Sequence, residues 1–369
     1  MTLNLLLGPV FSGKTTELVR HAHRFDAIQW KCLLISPVSP QNSSHAQLSW
    51  ENHIFTASLI DVDVNPYQII LIDDAHFFGK EFSIVETWLQ SKTLYVAGLD
   101  ADSNGVPYRD LLSWIPHADT VKKMTALIRK PKTRFEQANL SQEDPLATED
   151  DVNKVLQMSP SSLKLSPSHK YSNYRPTRTN GELTLIMGPM FAGKTTELLR
   201  QATRYFHAGA HILFINHEWN ARYGTIEICS HDGVKAGQTT WNSPRVHFMR
   251  KGKLQEIPQE KDHPIWTKID AIFVEECQFF PDAQQMIPEW LKQGKDVFIS
   301  GLDGDANKKP FGDLCWLVPW ATYLEKQTAL CRQCGDGTPA PFTRRFAPST
   351  DQVDVGTSDK YEAVCRKHF

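Results

Sequence analysis

The chain has 369 residues, more than one typical core holds, and 41% of them are hydrophobic, so we expect two globular domains. Lys and Arg number 40 against 42 Asp and Glu, and the net charge of -2 leaves no polybasic surface for a nucleic acid or an anionic membrane. No apolar run approaches the roughly 20 residues that a bilayer requires, and the first residues lack a basic lead-in and a cleavage site, so we expect a cytosolic protein, with a nuclear location left open.

The first predicted element is a short buried strand that leads through a glycine-rich loop into a helix, LLLGPVFSGKTTELVR at 5–20. It satisfies the pattern G-x-x-x-x-G-K-[ST], whose backbone N–H groups and lysine cradle phosphates while the hydroxyl reaches Mg²⁺. The alternative is a plain glycine turn with a surface lysine, which the flanking strand and helix disfavour. Gly8, Gly13, Lys14 and Thr15 therefore form a candidate ATP site.

The same pattern returns 180 positions later as LIMGPMFAGKTTELLR at 185–200. Two further segments repeat in the same order, and three collinear matches indicate a duplicated domain. These segments are IILIDDAHFF (69–78) with AIFVEECQFF (271–280), and VAGLDADSNGVPY (96–108) with ISGLDGDANKKPF (299–311).

Domain boundaries follow from the repeat and from composition. We assign a first copy to 1–134, a flexible linker to 135–180, which is rich in Ser, Pro, Asn and charge, and a second copy to 181–369. Each copy contains apolar runs that end in polar residues, such as the run at 271–274. This pattern is typical of a parallel α/β sheet with its site at the carboxyl ends of the strands.

The second copy carries two acids directly after the buried run at 271–274, namely Glu275 and Glu276. In a phosphoryl-transfer site one such acid helps to hold the metal and the other accepts the proton of the attacking hydroxyl. A solvated acidic turn is the alternative, which the position after a buried strand disfavours. The predicted phosphate-binding residues of this copy are Gly188, Pro189, Met190, Phe191, Ala192, Gly193, Lys194, Thr195 and Thr196.

Two short metal-binding patterns follow near the C-terminus, Cys331-x-x-Cys334 and Cys365-x-x-His368. Each pair can supply two of the four ligands of a tetrahedral ion, and four protein ligands make a closed, structural zinc site. Redox pairs or coincidence are the alternatives. The remaining cysteines lack such spacing and are predicted to be buried: Cys32, Cys229, Cys277 and Cys315.

Together these segments resemble the type II, zinc-containing thymidine kinase family over nearly all of 181–369. The resemblance rests on GPMFAGKTTELLR, EECQFF, LDGDANKKPFGDLCWLVPWA and DKYEAVCRKH. It implies a RecA-like P-loop domain with a zinc-held lasso at about 325–369, and ATP, Mg²⁺ and Zn²⁺ as cofactors. It also implies phosphorylation of deoxythymidine, and of deoxyuridine, at the 5′-hydroxyl, with inhibition by deoxythymidine triphosphate.

The resemblance also implies residue roles. Glu276 is the general base, Lys194 and Thr195 hold the ATP phosphates and Mg²⁺, and Glu275 stands where the family usually has Asp beside the metal. The positions that the family uses to bind the nucleoside are Met190, Arg222, Phe279, Leu302, Phe311, Val353, Val355 and Tyr361.

The first copy has lost parts of this set. Its acids are Asp73 and Asp74, one methylene shorter, and the distance from Lys14 to Asp74 is 60 residues against 82 in the second copy. TALIRKPKTR at 125–134 matches TALCRQCGDG only up to the cysteines. We expect this copy to be inactive and structural, with Asp73 part of a vestigial ATP site, as in the tandem enzymes of trypanosomatid parasites that it resembles. It is predicted to pair with the second copy about a pseudo-two-fold axis, although a homo-oligomer is an alternative.

Two other functions compete with an enzyme: a zinc-ribbon ATPase that binds nucleic acid, and a non-catalytic nucleotide sensor. The second copy lacks the basic aromatic strip that the former requires. The latter gains weight if Glu275 disturbs the metal site.

Overall fold

One sheet runs through both copies of the repeat in the computed structural model of the chain. The structure describes residues 1–10, 12–26, 28–38, 52–129, 135–138, 180–219, 228–229, 235–236, 243–259, 263–346, 352 and 359–369. The side chains of 127–129, 135–138, 228–229 and 235–236 are not among the described ones.

The first copy contributes six parallel strands in the order β6-β1-β5-β4-β2-β3. Its strands are β1 (Leu3–Leu7), β2 (Cys32–Pro37), β3 (His53–Thr56), β4 (Ile69–Ile72), β5 (Thr93–Gly98) and β6 (Thr120–Lys123). Its helices are α1 (Lys14–Asp26), α2 (Val85–Trp88) and α3 (Arg109–Leu112), with 3₁₀ helices at Ala75–Ile84 and Ile115–His117. A separate hairpin pairs β7 (Ala126–Arg129) with β8 (Phe135–Ala138), so β8 lies in the first residues of the predicted linker.

The second copy repeats this order as β16-β9-β15-β14-β10-β13, again all parallel. Its sheet strands are β9 (Leu183–Met187), β10 (Ile212–His217), β13 (Val246–Lys251), β14 (Ala271–Val274), β15 (Asp296–Gly301) and β16 (Ala321–Lys326). Its helices are α4 (Lys194–His207) and α5 (Ala283–Lys292). Its 3₁₀ helices are Leu254–Glu256, Trp266–Lys268, Cys277–Phe279, Leu314–Trp320 and Arg366–His368.

Three small antiparallel pairs complete the second copy. They are β11 (Ile228–Cys229) with β12 (Lys235–Ala236), β17 (Ala329–Leu330) with β18 (Pro339–Ala340), and β19 (Phe342–Arg345) with β20 (Tyr361–Val364). The last two pairs belong to the C-terminal segment that carries the cysteine pairs, which we call the zinc subdomain (residues 329–369).

The strands are buried because both faces of the sheet are covered. Every residue of β4 and β14 is buried, as expected for parallel strands between two layers. On one face a single apolar cluster spans both copies, while on the other α1 and α4 each cover a cluster of their own. Helix α4 buries Leu198, Leu199 and Ala202 against the sheet. The predicted α/β fold of two P-loop-type domains is therefore confirmed. Of the helices described here, none is long and apolar enough to cross a bilayer.

The two copies meet edge to edge through equivalent strands. β6 pairs with β16 in an antiparallel sense, with Lys122 opposite Glu325. Because the same edge of each copy is used, the two halves are related as in an isologous dimer, within one chain. A 12-stranded sheet results, with the carboxyl ends of the two parallel halves pointing in opposite directions.

Two equivalent buried lysines reinforce this junction reciprocally. Lys123 of the first copy forms an ion pair with Asp100 and donates to the carbonyl oxygens of Val318 and Pro319 in the second copy, at 3.1 and 3.4 Å. Lys326 of the second copy forms an ion pair with Asp303 at 2.7 Å and donates to the carbonyl oxygen of Ile115 in the first copy, at 2.8 Å. Both lysine side chains are shielded from solvent. Removing one would leave a buried carboxylate without its charged donor, and the partner copy's carbonyls would lose their hydrogen bond across the junction.

His117 makes this junction sensitive to acid. Burial, together with the charges of Lys308, Arg366 and Lys326, lowers the pKa of His117 from 6.5 to about 4, opposed only by Asp305. The unfolded chain therefore binds a proton that the folded chain excludes as the pH falls from 6.5 towards 4, so stability decreases over that window.

Replacing His117 with Asn is expected to reduce this loss by an amount of order 1 kcal/mol between pH 7 and pH 5. Urea unfolding at both pH values measures it. His207→Asn, at the exposed end of α4, is the control. Equal acid destabilisation of the native chain and His117→Asn would contradict the assignment.

Candidate functional site

The phosphate loop of the second copy connects β9 to α4, as predicted. Gly188 and Gly193 adopt φ values of 143° and 82°, which favour glycine. A Cβ at Gly188 would also lie 2.4 Å from the carbonyl oxygen of Gln327, so no other residue fits there. The loop therefore closes tightly over the carboxyl end of β9, with the N-terminus of a 14-residue helix behind it. The N-terminus of a helix favours anions such as phosphates.

Lys194 lies at the start of α4 with carboxylates around it. Its Nζ donates to the carbonyl oxygen of Pro189 at 2.7 Å. Desolvation lowers the pKa of Lys194, and the negative charges of Glu276, Asp303 and Glu275 act in the opposite direction. The loop lysine and both members of the acidic pair therefore belong to one electrostatic site, although the chain separates them by about 80 residues.

Thr195 joins the loop to the acidic pair directly. Its hydroxyl donates to Glu275 Oε1 at 2.8 Å, and Glu275 is 4% exposed. A hydroxyl oxygen and a carboxylate oxygen are the type of ligand that Mg²⁺ prefers when it also binds phosphate oxygens. The glutamate side chain, one methylene longer than the expected aspartate, thus reaches the hydroxyl. These two residues fit a Mg²⁺–nucleotide complex.

Glu276 occupies a tight turn directly after β14. Its backbone is left-handed, with φ 51°, and the 3₁₀ helix Cys277–Phe279 follows. Gln278 Nε2 donates to Glu276 Oε2 at 2.6 Å. In the first copy Asp74 has the same conformation, with φ 48°. The turn is thus a feature of the fold, shared by both copies, and only the second copy places a glutamate there.

Aromatic side chains gather beside Glu276. Phe279 and Phe311 meet edge to face, with ring centroids 5.6 Å apart. His217 and Trp219, which the sequence analysis did not identify, also contact Phe279, at 5.6 and 5.9 Å. Phe279 and Phe311 are therefore neighbours, and their predicted role in binding the nucleoside stays a prediction. A flat apolar ligand such as a base is the kind of group that aromatic faces bind.

The phosphate loop of the second copy also contacts the zinc subdomain. The backbone N–H of Met190 donates to Thr343 Oγ1 at 2.9 Å. Phe191, with φ 65°, packs with Ala192 against the apolar cluster of the zinc subdomain. The contacts couple the position of the phosphate loop to the folding of the C-terminal segment.

The geometry of the four predicted zinc ligands fits a tetrahedral ion. The ligand atoms of Cys331, Cys334, Cys365 and His368 lie within 4.8 Å of one another. Cys334 Sγ and Cys365 Sγ are 3.7 Å apart, and His368 Nδ1 lies 3.4 to 3.5 Å from the three sulfurs. A tetrahedron with Zn–S bonds of about 2.3 Å and a Zn–N bond of about 2.0 Å has edges of about 3.8 and 3.5 Å. An ion bound by all four residues would have no position left for substrate, as in structural zinc sites.

An ion pair between Arg344 and the buried Glu362 lies beside these four residues. Glu362 is 1% exposed and accepts hydrogen bonds from Arg344 and from Gln333, the latter at 2.9 Å. Arg344 also donates to the carbonyl oxygen of His368 at 2.6 Å. Tyr361, at the start of β20, accepts hydrogen bonds from Arg345. Its predicted place beside a pyrimidine stays a prediction.

Three predicted nucleoside-binding residues, Arg222, Val353 and Val355, lie outside the described residues. Leu302 is half-buried, and its backbone N–H donates to Gln278 Oε1. Of the cysteines predicted to be buried, Cys32, Cys277 and Cys315 are so, while the side chain of Cys229 is not among the described ones.

The first copy keeps the shape of the phosphate loop. Gly8 and Gly13 have φ values of 157° and 81°, and Lys14 Nζ donates to the carbonyl oxygen of Pro9 at 2.7 Å, like its counterpart in the second copy. Thr15 and Asp73 stand in the places of Thr195 and Glu275. Whether ATP binds there stays a prediction.

The junction depends on four residues that were not predicted from the sequence: Asp100, Asp303, Lys123 and Lys326. A signal was available, because both copies retain these residues although only one keeps the full acidic and cysteine set. Residues that persist in a copy without the full acidic and cysteine set are candidates for a structural role.

A strand, glycine loop and helix with a converging lysine, hydroxyl and acidic pair define a P-loop phosphotransferase site, here beside a Cys₃His zinc subdomain. The thymidine kinase family model matches residues 1–146 and 181–369. The chain therefore belongs to the thymidine kinase family, a family of phosphotransferases.

Individual relatives agree with this assignment. The chain is 34% identical over 189 residues to the thymidine kinase of Myxoma virus (strain Uriarra), covering 51% of this chain and 96% of the viral one. It is 33% identical over 191 residues to the cytosolic thymidine kinase of Homo sapiens, covering 52% and 74%. It is 34% identical over 191 residues to thymidine kinase 1 of Dictyostelium discoideum, covering 52% and 78%.

Proposed function

We propose that the second copy transfers the γ-phosphoryl group of ATP to the 5′-hydroxyl of deoxythymidine, and of deoxyuridine as a second acceptor. The observation that carries this proposal is the 2.8 Å hydrogen bond from Thr195 to Glu275. This hydrogen bond places the phosphate loop next to the acidic pair. The binding sites for the donor phosphates, the metal and the acceptor hydroxyl therefore lie next to one another.

Each of this chain's groups has one task in the reaction. The loop N–H groups and Lys194 hold the β- and γ-phosphates, and Thr195 with Glu275 hold Mg²⁺, which offsets the charge that develops on the phosphate oxygens. Glu276 takes the proton from the 5′-hydroxyl as that oxygen approaches the γ-phosphorus. Positioning and charge stabilisation supply most of the acceleration in such reactions.

The aromatic cluster provides a place for the base. Phe279 follows the acidic turn closely in the chain and contacts Phe311, so a base packed against this pair keeps its sugar near Glu276. We propose that Met190, Leu302 and Tyr361 complete this pocket, with Arg222 near the transferred phosphate. We also propose that Val353 and Val355 read the edge of the base.

One assay tests this function and separates it from the two competing ones. The protein is incubated with Mg²⁺, [γ-³²P]ATP and each nucleoside in turn. We expect labelled 5′-monophosphates of deoxythymidine and deoxyuridine, and little product with purine nucleosides or with Lys194→Ala. ATP hydrolysis stimulated by nucleic acid, or nucleotide binding without transfer to any nucleoside, would replace the proposal.

For the first copy we propose a structural role as a built-in partner of the catalytic copy. Arg366, between two zinc ligands, donates its Nε to Asp119 Oδ2 at 3.0 Å and also reaches the carbonyl oxygen of His117. Asp119 in turn accepts from the backbone N–H of Leu3 at 2.8 Å. The first copy thus contacts the zinc subdomain directly as well as sharing the sheet.

Replacing Arg366 with Gln is expected to destabilise the protein by about 1 to 3 kcal/mol, because Asp119 and the His117 carbonyl lose a charged donor in a half-buried place. Thermal unfolding of the full chain measures the change. Lys367→Gln, at the exposed neighbouring residue, is the matched control and should unfold like the native chain. Equal melting temperatures for the two variants would contradict the proposed contact.

The family membership also suggests how the enzyme is used. We propose a cytosolic enzyme of pyrimidine deoxynucleotide salvage, inhibited by deoxythymidine triphosphate, that has no nucleic-acid or membrane partner.

A further inference from the structure

Gln278 is a buried polar residue at the site for which the proposed reaction has no use. It lies two residues after Glu276 in the 3₁₀ helix Cys277–Phe279 and is 4% exposed. A buried amide requires partners for both its oxygen and its nitrogen. Gln278 has both, and one of them is the predicted general base.

The orientation of the amide follows from its two neighbours. Its Oε1 accepts from the backbone N–H of Leu302 at 3.1 Å, and its Nε2 donates to Glu276 Oε2 at 2.6 Å. A backbone N–H can only donate and an ionised carboxylate can only accept. The reversed amide would place donor against donor and acceptor against acceptor, so the N–H of Leu302 fixes which end of Gln278 faces Glu276.

Two glycines, Gly301 and Gly312, allow the chain to approach Gln278 closely. A Cβ at Gly301 would lie 2.6 Å from Gln278 Oε1, and a Cβ at Gly312 would lie 2.2 Å from the backbone oxygen of Gln278. Only glycine at these positions permits the close approach. The side-chain amide is therefore packed against Gly301 at the end of β15 and hydrogen-bonded to Leu302, while Gly312 packs against the backbone of Gln278. The fixed amide in turn orients the carboxylate of Glu276.

The first copy provides a natural comparison. His76 occupies the position of Gln278, and its Nδ1 accepts from the backbone N–H of Leu99 at 3.3 Å, as Gln278 Oε1 does from Leu302. Its Nε2 is buried and has no hydrogen-bond partner among the residues that the structure describes. The first copy thus keeps the hydrogen bond from the backbone N–H to the side chain, but not the hydrogen bond from the side chain to the acid.

We propose that Gln278 is a positioning residue that holds the carboxylate of Glu276 in the orientation needed to accept the proton of the acceptor hydroxyl. This inference rests on the proposed function, in which Glu276 is the general base. The left-handed turn at Glu276 fixes the backbone, but the glutamate side chain retains rotamer freedom that only a contact such as this removes.

The test is a double-mutant cycle on the full chain with Gln278→Met, which keeps the length of the side chain and removes both hydrogen bonds. We expect kcat with deoxythymidine to fall about tenfold to hundredfold, with the KM for deoxythymidine within about twofold of the native value. In the Glu276→Gln background the same substitution should cost less than about twofold, because no base is left to position. His76→Met is the matched control and should leave turnover unchanged.

The outcomes are distinguishable. Native turnover in Gln278→Met, or an equal loss of kcat in both backgrounds, overturns the inference, since the latter marks a purely structural role. If Gln278→Met yields no folded protein, Gln278→Leu replaces it, because it also removes both hydrogen bonds without adding a charge beside Glu276; native turnover in that variant also overturns the inference. If native protein transfers no phosphate, or Glu276→Gln is as active as native, the proposed function itself fails.

Discussion

Glu276→Gln is expected to lower kcat for deoxythymidine phosphorylation by roughly 10²- to 10⁴-fold, the usual contribution of a positioned general base. The substitution keeps the size of the side chain and the left-handed turn, so folding should be preserved. The KM for ATP should change little, because Lys194, Thr195 and Glu275 are untouched. Steady-state kinetics with both substrates varied gives the two constants separately.

A control for this experiment exists within the chain. Asp74 has the same backbone conformation in the first copy, so Asp74→Asn applies the same chemical change at an equivalent turn outside the catalytic copy. It should leave kcat unchanged. If Glu276→Gln retains native turnover, the acid does not act as the base; if Asp74→Asn is the variant that loses activity, the roles of the two copies are reversed.

Loss of one zinc ligand is the second large effect that we expect. Cys334→Ala should abolish stoichiometric zinc binding and destabilise the second copy by more than about 3 kcal/mol, because structural zinc contributes folding free energy directly. Turnover should fall with it, since Thr343 of the zinc subdomain holds the backbone N–H of Met190 in the phosphate loop.

Zinc content by atomic absorption, thermal unfolding and turnover measure the three consequences. Cys32→Ala, at a buried cysteine of the first copy, is the matched control and should keep one zinc ion per chain. A Cys334→Ala protein that still holds one zinc ion and melts like the control would show that the four residues do not form the site.

Most of the catalytic and metal-binding motifs could be predicted from the sequence, because their residues lie close together in the chain. The phosphate loop, the strand at Leu183–Met187 and the two cysteine pairs are patterns of neighbouring residues, and the structure places them as expected. The internal repeat also predicted that the two copies share one fold, which the identical strand orders confirm. The shorter separation of Lys14 and Asp74 and the lack of cysteines at 128–134 of the first copy were evident in the same way.

Hydrogen bonds between distant segments could not be predicted from the sequence. The contact of Thr195 with Glu275 spans 80 residues and that of Arg366 with Asp119 spans 247. No spacing rule connects such residues. Gln278 was overlooked for a related reason, because a glutamine near two acids has no pattern until the N–H of Leu302 fixes the direction of its amide.

The sequence by itself determined that this protein consists of two related nucleotide-binding units, that the second has the complete set of phosphate-binding, acidic and zinc-binding residues, and that the first does not. Only the tertiary structure decided that β6 and β16 join the units into one sheet and that Lys123 and Lys326 cross the junction in both directions. The physical reason is that motif chemistry depends on residues close together in the chain. The pairing of two sheet edges depends on hydrogen bonds and buried charges that exist only once both units have folded.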